Sequence, residues 1–311
     1  MRRKLVKHGE KTLMVSLPAK WVKAQGLKKG DEIVITPKDS VLALSKGELS
    51  DSIEKIDINI QPESRRNARA LLGNAYKLGY DEITIKFEGP AQLKLIKEQL
   101  QHMIGFEIVS LAKNTCLLKS VIKSSVEEYE SIKKRAWHNI KSAFEVLCSD
   151  MDAGNFPNMD LVLELNENVL KITDFCRRLI NKHSFLDVRT SCLEYSVHLK
   201  LVYLLPIIRD IYQYLQKNRI KPSKQLVDFS REISEQFEKL YVAYHKKDPD
   251  ASVTIINKRE LIDKKGFALL KNSEFAFTAS KLLELNKIFF GCSAHIIGLH
   301  YLKEFKKEKQ L

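Results

Sequence analysis

Cysteine is scarce and scattered: five in 311 residues, at Cys116, Cys148, Cys176, Cys192 and Cys292, with no C-x-x-C pair. An odd, unclustered set offers neither a disulfide framework nor zinc-ligand spacing. These thiols read as small buried apolar side chains in a reducing cytosol. Glycine is sparse too, and Gly73, Gly79 and Gly89 do not fall at a strand-to-helix turn in P-loop or dinucleotide spacing. No H-E-x-x-H run or G-x-S-x-G elbow occurs, and His295 and His300, five apart, point to different sides of a helix. The chain is therefore expected not to be an enzyme. No uncharged apolar run of eighteen residues appears, so no membrane insertion is expected. The first twelve residues are basic and polar, unlike the opening of a signal peptide, and a cytoplasmic location is expected.

What is present is an uneven charge. Residues 1–46 hold eleven Lys and Arg against four Asp and Glu, an excess of seven out of the chain's net +13. A basic N-terminal module on a nearly balanced body is the footprint of a polyanion binder. Within it, Leu13–Leu17 is a short apolar run with the character of a strand. Pro18 stands where a helix can begin, Ala19–Gln25 is a short helix, and Gly26 accepts the left-handed conformation of a helix end. Gly30-Asp31 then turns the chain into the strand Glu32–Thr36. A strand, a short helix and a strand within some forty-five residues cannot close a core alone.

The stretch RKLVKHGEKTLMVSLPAKWVKAQGLKKGDEIVI, with its VSLP-x-x-W and KKGDEI blocks, resembles the AbrB/SpoVT/MazE group of swapped-hairpin DNA-binding domains. The resemblance covers residues 1–46. It implies a small β-barrel built by two chains that exchange hairpins, hence a homodimer, with a basic face laid on double-stranded DNA. By that resemblance Arg2, Arg3, Lys4, Lys7 and Lys11 are the DNA-facing residues. Lys20 and Lys23, three apart, share a face of the short helix and join them. Where family members often place paired arginines this helix reads Val22-Lys23, so phosphate contacts should dominate over base readout. Trp21 reads as the buried anchor of that helix, with base stacking as the alternative.

Beyond a polar linker at 47–52, residues 56–123 alternate element types. Strand 56–60, helix 63–78, strand 82–87, helix 90–103 and two strands joined at Asn114 make a βαβαββ order, expected as a two-layer α/β domain of unassigned role. From Val126 the pattern is helical. Three amphipathic stretches over about 126–217 are followed by three over about 222–305, and Pro206 is expected to kink a long helix from 188 to 216 whose inward residues are Leu199, Val202 and Tyr203. This tandem three-helix layout, 126–305, resembles the PhoU family. PhoU-like halves behind an AbrB-like domain are the arrangement of archaeal phosphate-uptake regulators.

The fold class expected is thus multidomain: a swapped-hairpin barrel, an α/β domain and an all-α tandem bundle. The function implied is a DNA-binding transcriptional regulator of phosphate uptake, its helical domain sensing an effector or docking phosphate-transport or signalling proteins. The alternatives are a PhoU-like adaptor that uses the N-terminal module only to dimerise, and an AbrB-type antitoxin. PhoU proteins often bind a divalent or iron centre through inward carboxylates. Here Glu164 and Glu167, Glu260 and Asp263, and Asp174 and Asp210 are the acids in question, and only Asp210 fits the family's run, so no metal ligands and no cofactor are assigned.

Overall fold

The computed structural model describes residues 2–9, 11–38, 41–46, 53–60, 65–122, 126–182 and 187–308. The chain divides into two compact units, Met1–Ser52 and Ile53–Leu311. Residues 47–52, the expected linker, lie outside the described residues.

In the first unit β1 (Val6–His8) and β2 (Thr12–Met14) form an antiparallel hairpin in which Lys7 faces Leu13 across the pair. The short helix α1 (Ala19–Ala24) follows, with Pro18 as its N-cap. Its end is a complete Schellman turn. Gly26 takes φ +60°, its N–H bonds the Lys23 carbonyl at 3.1 Å, and the Leu27 N–H bonds the Val22 carbonyl at 3.0 Å. A second antiparallel hairpin, β3 (Val34–Lys38) and β4 (Val41–Ser45), closes the unit. Within one chain the two hairpins remain separate two-stranded sheets.

The second unit begins with β5 (Lys55–Asn59), α2 (Arg65–Leu78), β6 (Glu82–Lys86), α3 (Pro90–Leu100), β7 (Phe106–Ala112) and β8 (Thr115–Ser120), the βαβαββ order read from the sequence. The sheet is mixed, in the order β5-β6-β8-β7, with β5 and β6 parallel and the other pairs antiparallel. Ile83 and Ile85 alternate into its covered face, and α2 answers with Ala68, Leu72 and Ala75 one helical turn apart.

The rest is helical: α4 (Val126–Ala153), α5 (Met159–Lys182), α6 (Val188–Leu201), α7 (Leu204–Lys217), α8 (Lys224–Lys246), α9 (Pro249–Leu269) and α10 (Ala276–Glu308). Side-chain caps set several starts. Asp187 accepts from the N–H groups of Arg189 and Thr190, Ser223 from Leu226, and Asp248 from Asp250 and Ala251, with Pro249 in the first turn of α9.

Three sequence expectations are corrected here. The helix expected over 188–216 is two helices, broken at Val202–Tyr203, one turn before Pro206. The proline ring lacks an N–H and collides with the carbonyl four residues back, so the chain starts a new helix instead of bending the old one. Leu199 and Tyr203, expected inward, are exposed, while Val197, His198 and Leu201 are buried. The cysteines divide as well: Cys116, Cys176 and Cys292 are buried, Cys148 is half-buried, and Cys192 is exposed.

One apolar core runs through the helices. Trp137 of α4 stacks on Phe237 and Tyr244 of α8, and Phe144 meets Phe237 and Phe289 of α10. A second core joins Leu72, Ile83 and Ile85 of the α/β layer to Phe175 and Leu179 of α5, so α5 faces both. Val188–Lys217 and Ala276–Leu302 are long and apolar enough, by length and composition, to cross a membrane; their residues Leu201, Leu204, Ile208, Leu282 and Phe289 lie in the helical core.

Candidate nucleic-acid interface

In the first unit no described residue is buried. Leu17, Pro18, Trp21, Val22, Leu27, Ile33 and Leu44 are half-buried and form what interior there is. Leu5, Val6, Leu13, Met14, Val15, Ile35 and Leu42 are exposed, most of them by half or more of their surface. Each is worth about 1.5–3 kcal/mol when fully removed from water. A unit of this size with apolar strands this exposed has little core of its own, and exposed apolar surface of this kind marks a place where another surface can dock.

The sequence-derived site residues surround this exposed framework. Arg2, Arg3 and Lys4 lead into β1, Lys7 lies on β1, Lys11 sits just before β2, and Lys20 and Lys23 lie on α1. All seven are exposed, and among the described residues none of them enters an ion pair. Trp21, expected as the buried anchor of α1, is half-buried. Lys28 belongs to a turn, its N–H donating to Asp31 Oδ2 at 2.9 Å, and Lys46 donates to the Gly26 carbonyl at 3.5 Å. What the arrangement can do chemically is grip phosphates: unpaired ammonium and guanidinium groups on a small, rigidly turned scaffold.

Residues 7–48 match the family model of MazE, the bacterial antitoxin, described as antidote-toxin recognition. Domains of this MazE/AbrB type commonly dimerise and bind DNA. No curated protein and no solved structure matches the chain.

In the second unit four of the six acids weighed for a metal meet basic or amide partners. Asp174 pairs with Arg177, Asp210 with Arg209 and Lys281, Glu167 with His102 at 3.2 Å, and Asp263 accepts from Asn286 at 3.0 Å. Among the described residues no group of three or more His, Cys, Asp and Glu comes together.

Sequence reasoning missed a buried polar network between α4, α6 and α8. Glu194 accepts the hydroxyls of Tyr129, at 3.2 Å, and Tyr244, and lies 3.6 Å from Lys133 Nζ. Lys133 also bonds Glu130 at 2.9 Å and sits over the rings of Tyr129 and Tyr244, at 4.8 and 5.2 Å. His198 Nε2 is 3.1 Å from the Tyr129 hydroxyl. Burial, with Lys133 and Arg177 adding to it, pushes the His198 pKa down to about 3. Burial and the Glu194 carboxylate hold both tyrosines far above the ordinary phenol range. The signal was there in the spacing: Tyr129/Lys133 and Glu194/His198 are i,i+4 pairs that set polar groups on faces otherwise apolar.

Proposed function

We propose that this protein is a DNA-binding transcriptional regulator that works as a homodimer. Its first unit completes its core with a second copy and grips duplex DNA through Arg2, Arg3, Lys4, Lys7, Lys11, Lys20 and Lys23. The observation that carries this reading is the first unit itself: among its described residues none is buried, two unjoined hairpins carry exposed apolar strands, and seven cations enter no ion pair. A two-fold dimer would favour a palindromic site. The helical region is proposed as the sensing or docking module. Its link to phosphate uptake rests on the PhoU-like tandem layout and on its place behind an AbrB-like domain.

Gel shifts on the duplex upstream of its own coding region, with the full chain and with a chain lacking residues 1–46, test it. The full chain should retard the duplex and the truncated chain should not. Retardation by both, or by neither in dilute buffer, would remove the first unit from DNA recognition.

The match to an antitoxin family model favours a second reading, in which the chain neutralises a toxin. Under that reading the full chain, co-expressed with a growth-inhibiting partner, should restore growth, and a chain lacking the second unit should not. The regulator reading expects no rescue.

A further inference from the structure

A cavity of about 470 Å³ opens between α4, the start of α6, the end of α8 and α10. Its acidic groups are already engaged. Glu130 holds Lys133, Glu194 takes Lys133 and two tyrosine hydroxyls, and Asp187 caps α6 and accepts the Thr190 hydroxyl. Its outer cations are not. Lys134 and Lys247 line the cavity and enter no ion pair among the described residues. His245, on the same wall, keeps a buried Nε2 without a hydrogen-bond partner. Ile296, Leu299 and Leu302 of α10 make another part of the wall apolar. A cationic ligand would meet carboxylates that are already satisfied. An anion would meet two ammonium groups that enter no ion pair among the described residues, each able to give a charge-assisted hydrogen bond at the mouth of the cavity.

We propose that this cavity binds a small organic anion with an apolar body, its carboxylate or phosphate-ester head held by Lys134 and Lys247 and its body against Ile296 and Leu299. Burial pushes the His245 pKa down to about 4, with the Lys133 and Lys134 cations adding to it and Glu130 opposing it, so this wall carries a neutral imidazole beside Lys134. Mixed apolar and polar lining at this volume is ordinary for a small-molecule site. The inference deepens the sensing role proposed for the helical region and rests on it for its biological consequence.

The test uses the full chain and calorimetric titration with 4-fluorobenzoate, 4-fluorophenyl phosphate, 4-fluorobenzylamine, 4-fluorobenzyl alcohol and inorganic phosphate. Both organic anions should bind at least about tenfold more tightly than the amine, the alcohol or inorganic phosphate, and Lys134→Glu with Lys247→Glu should weaken them by about tenfold or more. Reversal of two exposed lysines elsewhere, Lys217→Glu with Lys224→Glu, should leave affinity within about twofold. All four residues are exposed, so these changes leave the core intact. Equal binding of the amine or the alcohol, inorganic phosphate as tight as its ester, equal effects of the two double reversals, or no binding at all would each overturn the proposal. A lost titration with gel retardation intact condemns the cavity alone; lost retardation with titration intact condemns only the regulator reading.

Discussion

Arg178 ties the α/β layer to the helices. From α5 it donates to the carbonyls of Tyr76 at 3.0 Å and Tyr80 at 2.7 Å, and to Asp81 at 2.9 Å, with its guanidinium over the rings of Tyr76 and Phe106. Lys182 reaches the other Asp81 oxygen, and Asp81 in turn accepts from the Glu54 N–H. Arg178→Ala would take one donor each from the Tyr76 and Tyr80 carbonyls and leave Asp81 with only Lys182 and the Glu54 N–H, at a cost of about 1–3 kcal/mol. Arg178→Lys should recover only part of this, because an ammonium cannot fork to three acceptors in that geometry. Urea unfolding of the full chain followed by circular dichroism checks both; a loss below about 1 kcal/mol for the alanine change would show that water replaces the clamp. The buried histidines make a second residue-level prediction. His198 and His245 titrate near 3 and 4 in the fold against about 6.5 unfolded, so below pH 6.5 the unfolded chain binds the extra protons. Stability from these rings is complete above about pH 7 and falls as pH drops toward 4. For fully buried His198 the slope approaches about 1.4 kcal/mol per unit; for His245, whose partly exposed ring is screened by solvent, the pH window is narrower and the total contribution smaller. The urea midpoint of His245→Gln should therefore decline less steeply between pH 6.5 and 4 than that of the parent; identical slopes would mean His245 does not contribute. None of these residues was legible in the sequence as a partner of another. Asp81 and Arg178 are 97 positions apart, Tyr129 and Glu194 65, and a single chain of letters carries no record of such meetings.

Elements were read far better than their contacts. The βαβαββ order, the hairpin turn at Asn114 and the stripe Leu226, Phe229, Ile233, Phe237, Leu240 and Tyr244 all follow from local periodicity, and all six of those side chains are buried. Failure came where a helix face is not uniformly apolar. In α6 the inward positions include Glu194 and His198, which hydrogen bonds to Tyr129 and Tyr244 make tolerable, so the exposed Leu199 and Tyr203 looked like the core face instead. The pairing of α9 with α10 was likewise invisible, because it turns on an absent side chain. A Cβ on Gly266 would meet Leu283 Cδ2 at 2.4 Å and Cγ at 2.6 Å. Gly266→Ala should therefore destabilise the helical core by about 1–3 kcal/mol despite the better helix propensity of alanine. Leu283→Ala, itself destabilising, should make the glycine change nearly neutral in the double variant, a coupling that a double-mutant cycle in urea measures. Additive losses would place the cost of Gly266→Ala outside the α9–α10 contact.

At the scale of the whole molecule, the two units differ in what holds them. The second has two apolar cores of its own, whereas the first has none among its described residues. If a second copy supplies what the first unit lacks, then its folding is bimolecular and its stability must depend on protein concentration, as stability does for any fold completed by association. The chain offers a clean reporter, since its two tryptophans fall one in each unit, Trp21 in the first and Trp137 in the helical core. With both replaced by 5-fluorotryptophan, fluorine spectra should give one resonance for each, assigned through Trp21→Phe. In urea, a tenfold rise in protein concentration should stabilise the state reported by Trp21 by about 1.4 kcal/mol and move its midpoint upward accordingly. The proposed DNA grip carries its own prediction. If Arg2, Arg3, Lys4, Lys7 and Lys11 contact phosphates, log affinity should fall against log salt with a slope of about −4 to −5, and Arg3→Ala with Lys4→Ala should shallow it by nearly two while weakening all sequences alike. The two readouts constrain each other: a Trp21 midpoint indifferent to concentration would mean one chain closes its own core, and the exposed strands of β1 to β4 would then need a different partner to explain them.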